Sequence, residues 1–166
     1  MAKDASFDVS TGVNLQEVDN AVNQATKEVA QRYDFKDAKV TIEFKRAEGV
    51  IALSADSDMR MRALFDVVQA KLIKRGVPVK NLDVGEVTPA GGDILKRTVT
   101  LKQALDSDTA KKVAAAVKEQ KFKKVTCSIQ ADQVRVSAPS RDELQAVIQF
   151  LRAGDYGVEL QFGNYR

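Results

Sequence analysis

Lys39-Val40-Thr41-Ile42 recurs as Lys124-Val125-Thr126-Cys127, and Ser54-Ala55-Asp56-Ser57 recurs as Ser137-Ala138-Pro139-Ser140. Behind each pair the pattern stays in register: Ala63, Leu64, Phe65, Val67 and Val68 stand opposite Ala146, Val147, Ile148, Phe150 and Leu151. The offset, 83 to 85 residues, is half of the 166-residue chain. Two copies are too few to stack as a solenoid, so the repeat predicts two similar domains.

Working outward, each half reads strand, helix, strand, strand, helix, strand. In the first half Phe7 and Val9 alternate with Asp8 and Ser10, a short strand. Asn14 with Glu17 opens a helix whose apolar stripe is Leu15, Val18, Val22, Ala25 and Val29. Val40, Ile42 and Phe44 run to a turn at Ala47-Glu48-Gly49, and Ile51, Leu53 and Ala55 return. Ser57 starts a helix that Gly76 and Pro78 stop, and Asn81 to Val84 supply the last strand. In the second half the strand is Leu95 to Gln103, with Val99 and Leu101 inward, and the helix spans 107–121. Val125, Cys127 and Ile129 precede a turn at Ala131-Asp132, and Val134 and Val136 come back. Ser140-Arg141-Asp142-Glu143 is a capping box, Gly154 ends its helix, and Val158, Leu160 and Phe162 form the final strand.

A βαββαβ unit closes most simply as a four-stranded antiparallel sheet with both helices on one face. The chain is thus expected to be α+β, with a first domain at 1–87, a linker at 88–93 and a second domain at 94–166. Thr88-Pro89-Ala90-Gly91-Gly92 is the turn-former-rich stretch between them. The repeat matches best after the first helix of each half, which leaves the strands at 6–10 and 158–163 open to exchange between domains. The uncovered sheet face of each half is then a binding surface or an interface. Alternation puts Asp8, Thr41, Glu43, Lys45, Ala52 and Ser54 on the first such face. The second carries Lys96, Thr98, Thr100, Lys102, Thr126, Ser128, Gln130, Arg135, Ser137, Glu159 and Gln161, a mix suited to phosphates and base edges. The net charge is +3: residues 1–85 hold thirteen basic and thirteen acidic side chains, residues 86–166 thirteen and ten.

Composition excludes whole classes of chemistry. With no histidine there is no Ser-His-Asp or Cys-His dyad and no histidine metal ligand. One cysteine, Cys127, makes no internal disulfide and no thiolate zinc site. Asp56-Ser57-Asp58 and Asp106-Ser107-Asp108 fall at helix starts, where they cap backbone N–H groups rather than bind metal. The lysines at 111, 112, 118, 121, 123 and 124 read as the solvated face of an amphipathic helix and its end. Lys71, Lys74 and Arg75 sit where a helix dipole alone favours cations. The opening MAKDASFDVS lacks the apolar run of a signal peptide, and no window is long and apolar enough to span a bilayer, so a cytoplasmic protein without a membrane partner is expected. The base-stacking motif of RNA-recognition sheets is missing from the expected central strands.

Several segments together resemble the bacterial YajQ family. They are Ser6-Phe7-Asp8-Val9-Ser10, Arg32-Tyr33-Asp34-Phe35, Ala70-Lys71-Leu72-Ile73-Lys74-Arg75-Gly76 and Lys102-Gln103. With them go the run from Ile129 to Val136, Ser140-Arg141-Asp142-Glu143-Leu144-Gln145, and the ending Gln161-Phe162-Gly163-Asn164-Tyr165-Arg166. The resemblance implies a tandem of two ferredoxin-like (ribonucleoprotein-like) domains and nucleotide binding, with some members proposed to bind RNA or transfer RNA and some to sense cyclic di-GMP. This chain departs from it at Ala104-Leu105, where members often carry Gly-Ile, at Ala131, where some carry Gly, and in lacking any tryptophan to stack a guanine.

The expected protein is non-catalytic and needs no cofactor or metal. It binds a nucleotide, a cyclic dinucleotide or RNA through a basic sheet face. Lys96, Lys102 and Arg135 hold phosphates, with Arg32 and Arg166 at the margin, and Gln103, Gln130 and Gln161 offer base-edge hydrogen bonds. Phe7, Phe35 or Tyr165 stack bases only where packing leaves them accessible. The alternative is a protein-interaction or assembly adaptor that uses the same open faces.

Overall fold

The computed structural model describes residues 4–166; residues 1–3, where the expected first domain begins, lie outside the described residues. In chain order the elements are β1 (Ala5–Ser10), α1 (Leu15–Gln31), β2 (Thr41–Lys45), β3 (Val50–Ala55), α2 (Asp58–Lys74), β4 (Leu82–Val84) and β5 (Thr88–Pro89). Then follow β6 (Leu95–Leu101), α3 (Ser107–Glu119), β7 (Thr126–Gln130), β8 (Gln133–Ala138), α4 (Arg141–Ala153) and β9 (Gln161–Gly163). All four helices start at the expected caps. Asn14 accepts from the N–H groups of Gln16 and Glu17, Ser57 from Arg60, Asp106 from Thr109 and Ser140 from Glu143. Each cap satisfies backbone donors that the first helical turn leaves free.

The strands form two antiparallel sheets, one ordered β7-β8-β1-β9 and the other β2-β3-β6-β4 with β5 also on β6. The fold is α+β, and each sheet has the strand order of a ferredoxin-like domain. Two compact units result: Val13–Lys102 is one, and the chain up to Gly12 together with Gln103–Arg166 is the other. In the first, α1 and α2 cover one sheet face around Val18, Leu64, Val68, Ile51, Leu53 and Val99. In the second, α3 and α4 pack over Phe7, Val9, Val134 and Val136, with Val113, Val147 and Leu151 between. Phe7 is 0% exposed, and burying such a ring contributes roughly 1.5–3 kcal/mol.

This division differs from the expected 1–87 and 94–166 in three places. The strand at 6–10 is exchanged: β1 lies between β8 and β9. The strand at 158–163 is not; only Gln161–Gly163 of it forms a strand, β9, which stays with the second half, and the strand that crosses the other way is β6, between β3 and β4. The stretch at 88–93 is no linker. Thr88 pairs with Lys96, Ala90 donates to the Ile94 carbonyl at 2.8 Å, and the glycines turn the β5–β6 hairpin inside one unit. The chain passes between units after Gly12 and after Lys102 instead. The second crossing is pinned by Asn81, which is 0% exposed. Its Nδ2 donates to the Lys102 carbonyl at 2.8 Å and its own carbonyl accepts from the Lys102 N–H at 2.8 Å.

Because β6 is a central strand, a polypeptide ending at residue 87 lacks the middle of its sheet, whereas Val13–Lys102 contains every strand of it. The 13–102 fragment should therefore unfold cooperatively by circular dichroism and the 1–87 fragment should show no cooperative transition. A folded 1–87 fragment would refute the exchange. In the other unit, the two-residue turn between β7 and β8 holds Ala131 at φ +55°. The left-handed region costs an L-residue roughly 1–2 kcal/mol, and glycine gives back about 0.5–1 of it in entropy. Ala131→Gly should raise stability by about 1 kcal/mol, read as a higher denaturant midpoint at unchanged slope.

Candidate functional site

The strand exchange decides which polar residues share a face. In the Val13–Lys102 unit the uncovered face carries Thr41, Glu43 and Lys45 from β2, Ala52 and Ser54 from β3, and Lys96, Thr98 and Thr100 from β6. Lys96 stands opposite Ser54 on one side and Thr88 on the other, and Thr98 opposite Ala52. The hydroxyls of Thr41 and Ser54 hydrogen-bond across the strands. Thr41, Lys45, Lys96, Thr98 and Thr100 are all exposed. On the helix-covered side, Arg97 packs over the Phe65 ring at 5.3 Å.

In the other unit the uncovered face runs Thr126, Ser128 and Gln130 on β7, then Arg135 and Ser137 on β8, then Asp8 on β1. Arg135 is directly opposite Asp8, and its Nε donates to Oδ1 at 3.1 Å. Asn164 Nδ2 donates to the other carboxylate oxygen at 2.6 Å. Burial acts to raise the Asp8 pKa, but the Asn164 bond, the bond and charge of Arg135 and the charge of Arg166 outweigh it and hold the carboxyl below its ordinary value. Asn164 reaches Asp8 because β9 bulges there. Asp8 pairs with Gly163 and Val9 with Phe162, yet Ser6 exchanges backbone bonds with Arg166 at 3.0 and 3.2 Å, one residue out of step. Asn164 takes φ +55° to absorb the extra residue, a conformation asparagine tolerates.

The expected site residues therefore fall into two groups. Lys96, Lys102 and Arg32 belong to one unit, and Gln103, Gln130, Arg135, Gln161 and Arg166 to the other. Arg135 and Arg32, both expected phosphate ligands, are already engaged. Arg135 is paired with Asp8, and Arg32 makes a two-pronged pair with Asp34 at 2.7 and 3.0 Å and a longer contact to Glu28 at 3.4 Å. Gln161 Nε2 donates to the Gly12 carbonyl at 3.4 Å, while Gln103 and Gln130 are exposed. Lys71 and Arg75 tie α2 to α1 through Glu28 at 3.1 Å and Glu17 at 3.3 Å. Charge also redistributes: the unit holding α3 and α4 has eleven basic and ten acidic side chains, the Val13–Lys102 unit fifteen and thirteen. The surplus read for residues 86–166 is thus not that of one folded unit, since Lys96, Arg97 and Lys102 belong to the Val13–Lys102 unit.

Of the three aromatics considered for stacking, Phe7 and Phe35 are buried and Tyr165 is 60% exposed. Tyr165 borders a cleft of about 330 Å³ with Arg141, Leu144, Gln145, Ile148 and Arg166. A second cleft of about 670 Å³ shares Arg141 and Arg166 and adds Asp4, Arg135 and Pro139. Arg141 and Gln145 escaped the sequence reading because the capping box accounted for their segment. Cys127 is half-buried, and burial pushes its thiol pKa up, away from thiolate reactivity. Among the described residues no three Cys, Asp or Glu side chains gather as metal ligands, and no helix is long and apolar enough to cross a membrane.

Residues 5–166 match the family model described as "Nucleotide-binding protein YajQ-like". Relatives named "Nucleotide-binding protein" from Bacillus cereus (strain Q1) and Bacillus anthracis (strain A0248) are each 47% identical over 166 residues, covering 100% of both chains.

The Asp8 cluster has a measurable consequence. Its folded-state pKa is depressed, so its contribution is fully present above the ordinary carboxylate value of about 4 and is lost as pH falls through the lower folded value. Asp8→Asn should lower stability at neutral pH by about 1.5–3 kcal/mol, as for hydrogen bonds to charged groups, and should flatten the acid limb of stability against pH. Denaturant midpoints measured from pH 7 down to pH 3 test this, and an unchanged acid limb would dismiss it.

Proposed function

Because the chain belongs to the YajQ-like family of nucleotide-binding proteins, we propose that it is a non-catalytic, cytoplasmic protein that binds a nucleotide, a cyclic dinucleotide or RNA. The observation that carries this reading is the uncovered sheet face of the Val13–Lys102 unit. Exposed Thr41, Thr98 and Thr100 hydroxyls lie there with the Lys45 and Lys96 ammonium groups, alongside the carboxylates of Glu43 on β2 and of Asp83, which pairs with Thr100 from β4. Hydroxyls and ammonium groups are the donors that phosphate and sugar oxygens take. Lys102 follows the last residue of β6, and Arg32 lies at the end of α1 in the same unit. In the other unit Gln103, Gln130, Gln161 and Arg166 supply amide and cationic donors, while Arg135 contributes through its pair with Asp8. The face displays no aromatic side chain, which favours contact with the phosphate–sugar part of a ligand over base stacking there.

Equilibrium titration of the full chain with ATP, GTP, cyclic di-GMP and a short single-stranded RNA tests the reading. Saturable binding is expected to at least one of them. For an RNA held by two or three phosphate contacts, affinity should fall roughly tenfold between 50 and 200 mM salt. Lys96→Gln should weaken binding and flatten that salt dependence. No saturable binding to any of the four at low salt would overturn the reading, and a salt-insensitive protein complex on this face would favour the adaptor instead.

A further inference from the structure

Recognition of a nucleotide takes a surface for the base as well as donors for the phosphate, and neither sheet face presents an exposed ring. Two tyrosines stand well out of the core, Tyr33 at 86% and Tyr165 at 60% exposure. Their surroundings differ. Beside Tyr33 the nearby guanidinium, Arg32, is spent on Asp34 and Glu28, and Lys36 already covers the ring at 5.9 Å. Beside Tyr165 stand Arg141 and Arg166, and neither side chain makes an ion pair with any described residue. Arg141 is also the first residue of α4, where the helix field disfavours a cation. A guanidinium held there without a carboxylate partner is relieved by an arriving anion.

The Tyr165 ring is positioned before any ligand arrives. One side rests against the buried Phe7 ring, centroids 6.2 Å apart and tilted 39°. The residues on either side of it are tied to β1, Asn164 through Asp8 and Arg166 through Ser6. Leu144 and Ile148 give the same cleft an apolar wall and Gln145 an amide. At about 330 Å³, with a further 670 Å³ beside it, the space is of the size that small ligands occupy.

We propose that the cleft between α4 and the segment after β9 is a nucleotide subsite, in which a base stacks on Tyr165 against Leu144 and Ile148 and its phosphate lies between Arg141 and Arg166. The inference rests on the nucleotide-binding reading and assigns the base to a place apart from both sheet faces. The ligand unit is one nucleoside phosphate, either free or as one residue of an RNA strand.

Calorimetric titration of the full chain with AMP, GMP and a five-nucleotide single-stranded RNA tests it. Arg141→Gln is expected to weaken binding at least fivefold. Tyr165→Leu is expected to weaken it roughly tenfold or more, in line with the loss of one base–aromatic stack. Tyr165→Phe, which keeps the ring, should restore the affinity, and Lys27→Gln on the exposed face of α1 controls for net charge. Arg141 is exposed at a helix surface, so its variant reports on the site even where Tyr165→Leu loosens the strand. Saturation by a mononucleotide with this variant pattern identifies a free nucleotide, and the same pattern with RNA alone identifies a strand residue. If Arg141→Gln and Tyr165→Leu bind as the wild type does, the subsite is overturned while nucleotide binding stands. If Tyr165→Phe binds as poorly as Tyr165→Leu, stacking is overturned. If the wild type binds none of these probes or those of the broader titration, the nucleotide-binding reading falls with it.

Discussion

Each sheet of this protein is completed in its middle by a strand from the other half of the chain, and most other features follow from that constraint. A central strand engages backbone donors and acceptors on both edges, so its absence would strand two rows of polar groups that nothing else in the unit can satisfy. β1 provides this for β8 and β9, and β6 for β3 and β4. The same strands carry core side chains. Phe7 and Val9 on β1, and Val99 and Leu101 on β6, are all buried. A half-chain of about 83 residues therefore does not hold a complete domain, although the repeat period suggests one. At the end of the Val13–Lys102 unit, Lys102 is held to Asn81 by one backbone bond and one side-chain bond.

The carboxyl-terminal run Gln161-Phe162-Gly163-Asn164-Tyr165-Arg166 acquires a physical meaning from the same constraint. A strand arriving from elsewhere in the sequence needs a partner on its outer edge, and this run supplies it. Phe162 meets Phe7 edge-on, Asn164 bonds Asp8, and Arg166 pairs with Ser6 through its backbone. The Asn164 bulge lets one residue serve the Asp8 carboxylate while the next lays its ring beside Phe7. Asp8 is 6% exposed and tolerates that burial as an anion only because Arg135 and Asn164 hold both of its oxygens.

What was legible in the sequence was local. The four caps, the turns after Lys45 and Gln130 and the inward faces of β1, β3, β6 and β8 depend on residues a few positions apart, and these are present, whereas Ile129 on β7 is exposed and Val158 and Leu160 lie before the last strand. Sheet membership was not legible, because alternation tells which side of a strand is buried and not which sheet it joins. Phe7-Asp8-Val9 and Thr98-Val99-Thr100 share the same period-two alternation, which does not tell their sheets apart. The candidate site inherited this ambiguity. Lys96 and Arg135 were read onto one face although they belong to different sheets, and Arg135 gave no sign of its carboxylate, 127 residues away. Tyr165 was named for stacking, but nothing in the sequence set Arg141 beside it, because Arg141 reads as part of a helix start.

The two units share an architecture but not a surface chemistry, and the difference lies in the exchanged strands. At matching central positions β1 presents Asp8 to Arg135, while β6 presents Thr98 to Ala52, with Lys96 facing Ser54 one pair along. The first arrangement neutralises the sheet's own cation, so that face offers an anion little from Arg135. The second leaves an ammonium group among hydroxyls and in water. In the unit where the sheet cation is consumed, two guanidinium groups without an ion pair to any described residue, Arg141 and Arg166, lie instead beside Tyr165, where a ring and an apolar wall accompany them. A trade of strands that keeps both cores intact thus gives the repeats different surfaces, one suited to phosphate contacts along a sheet and the other to a base with its phosphate in a cleft.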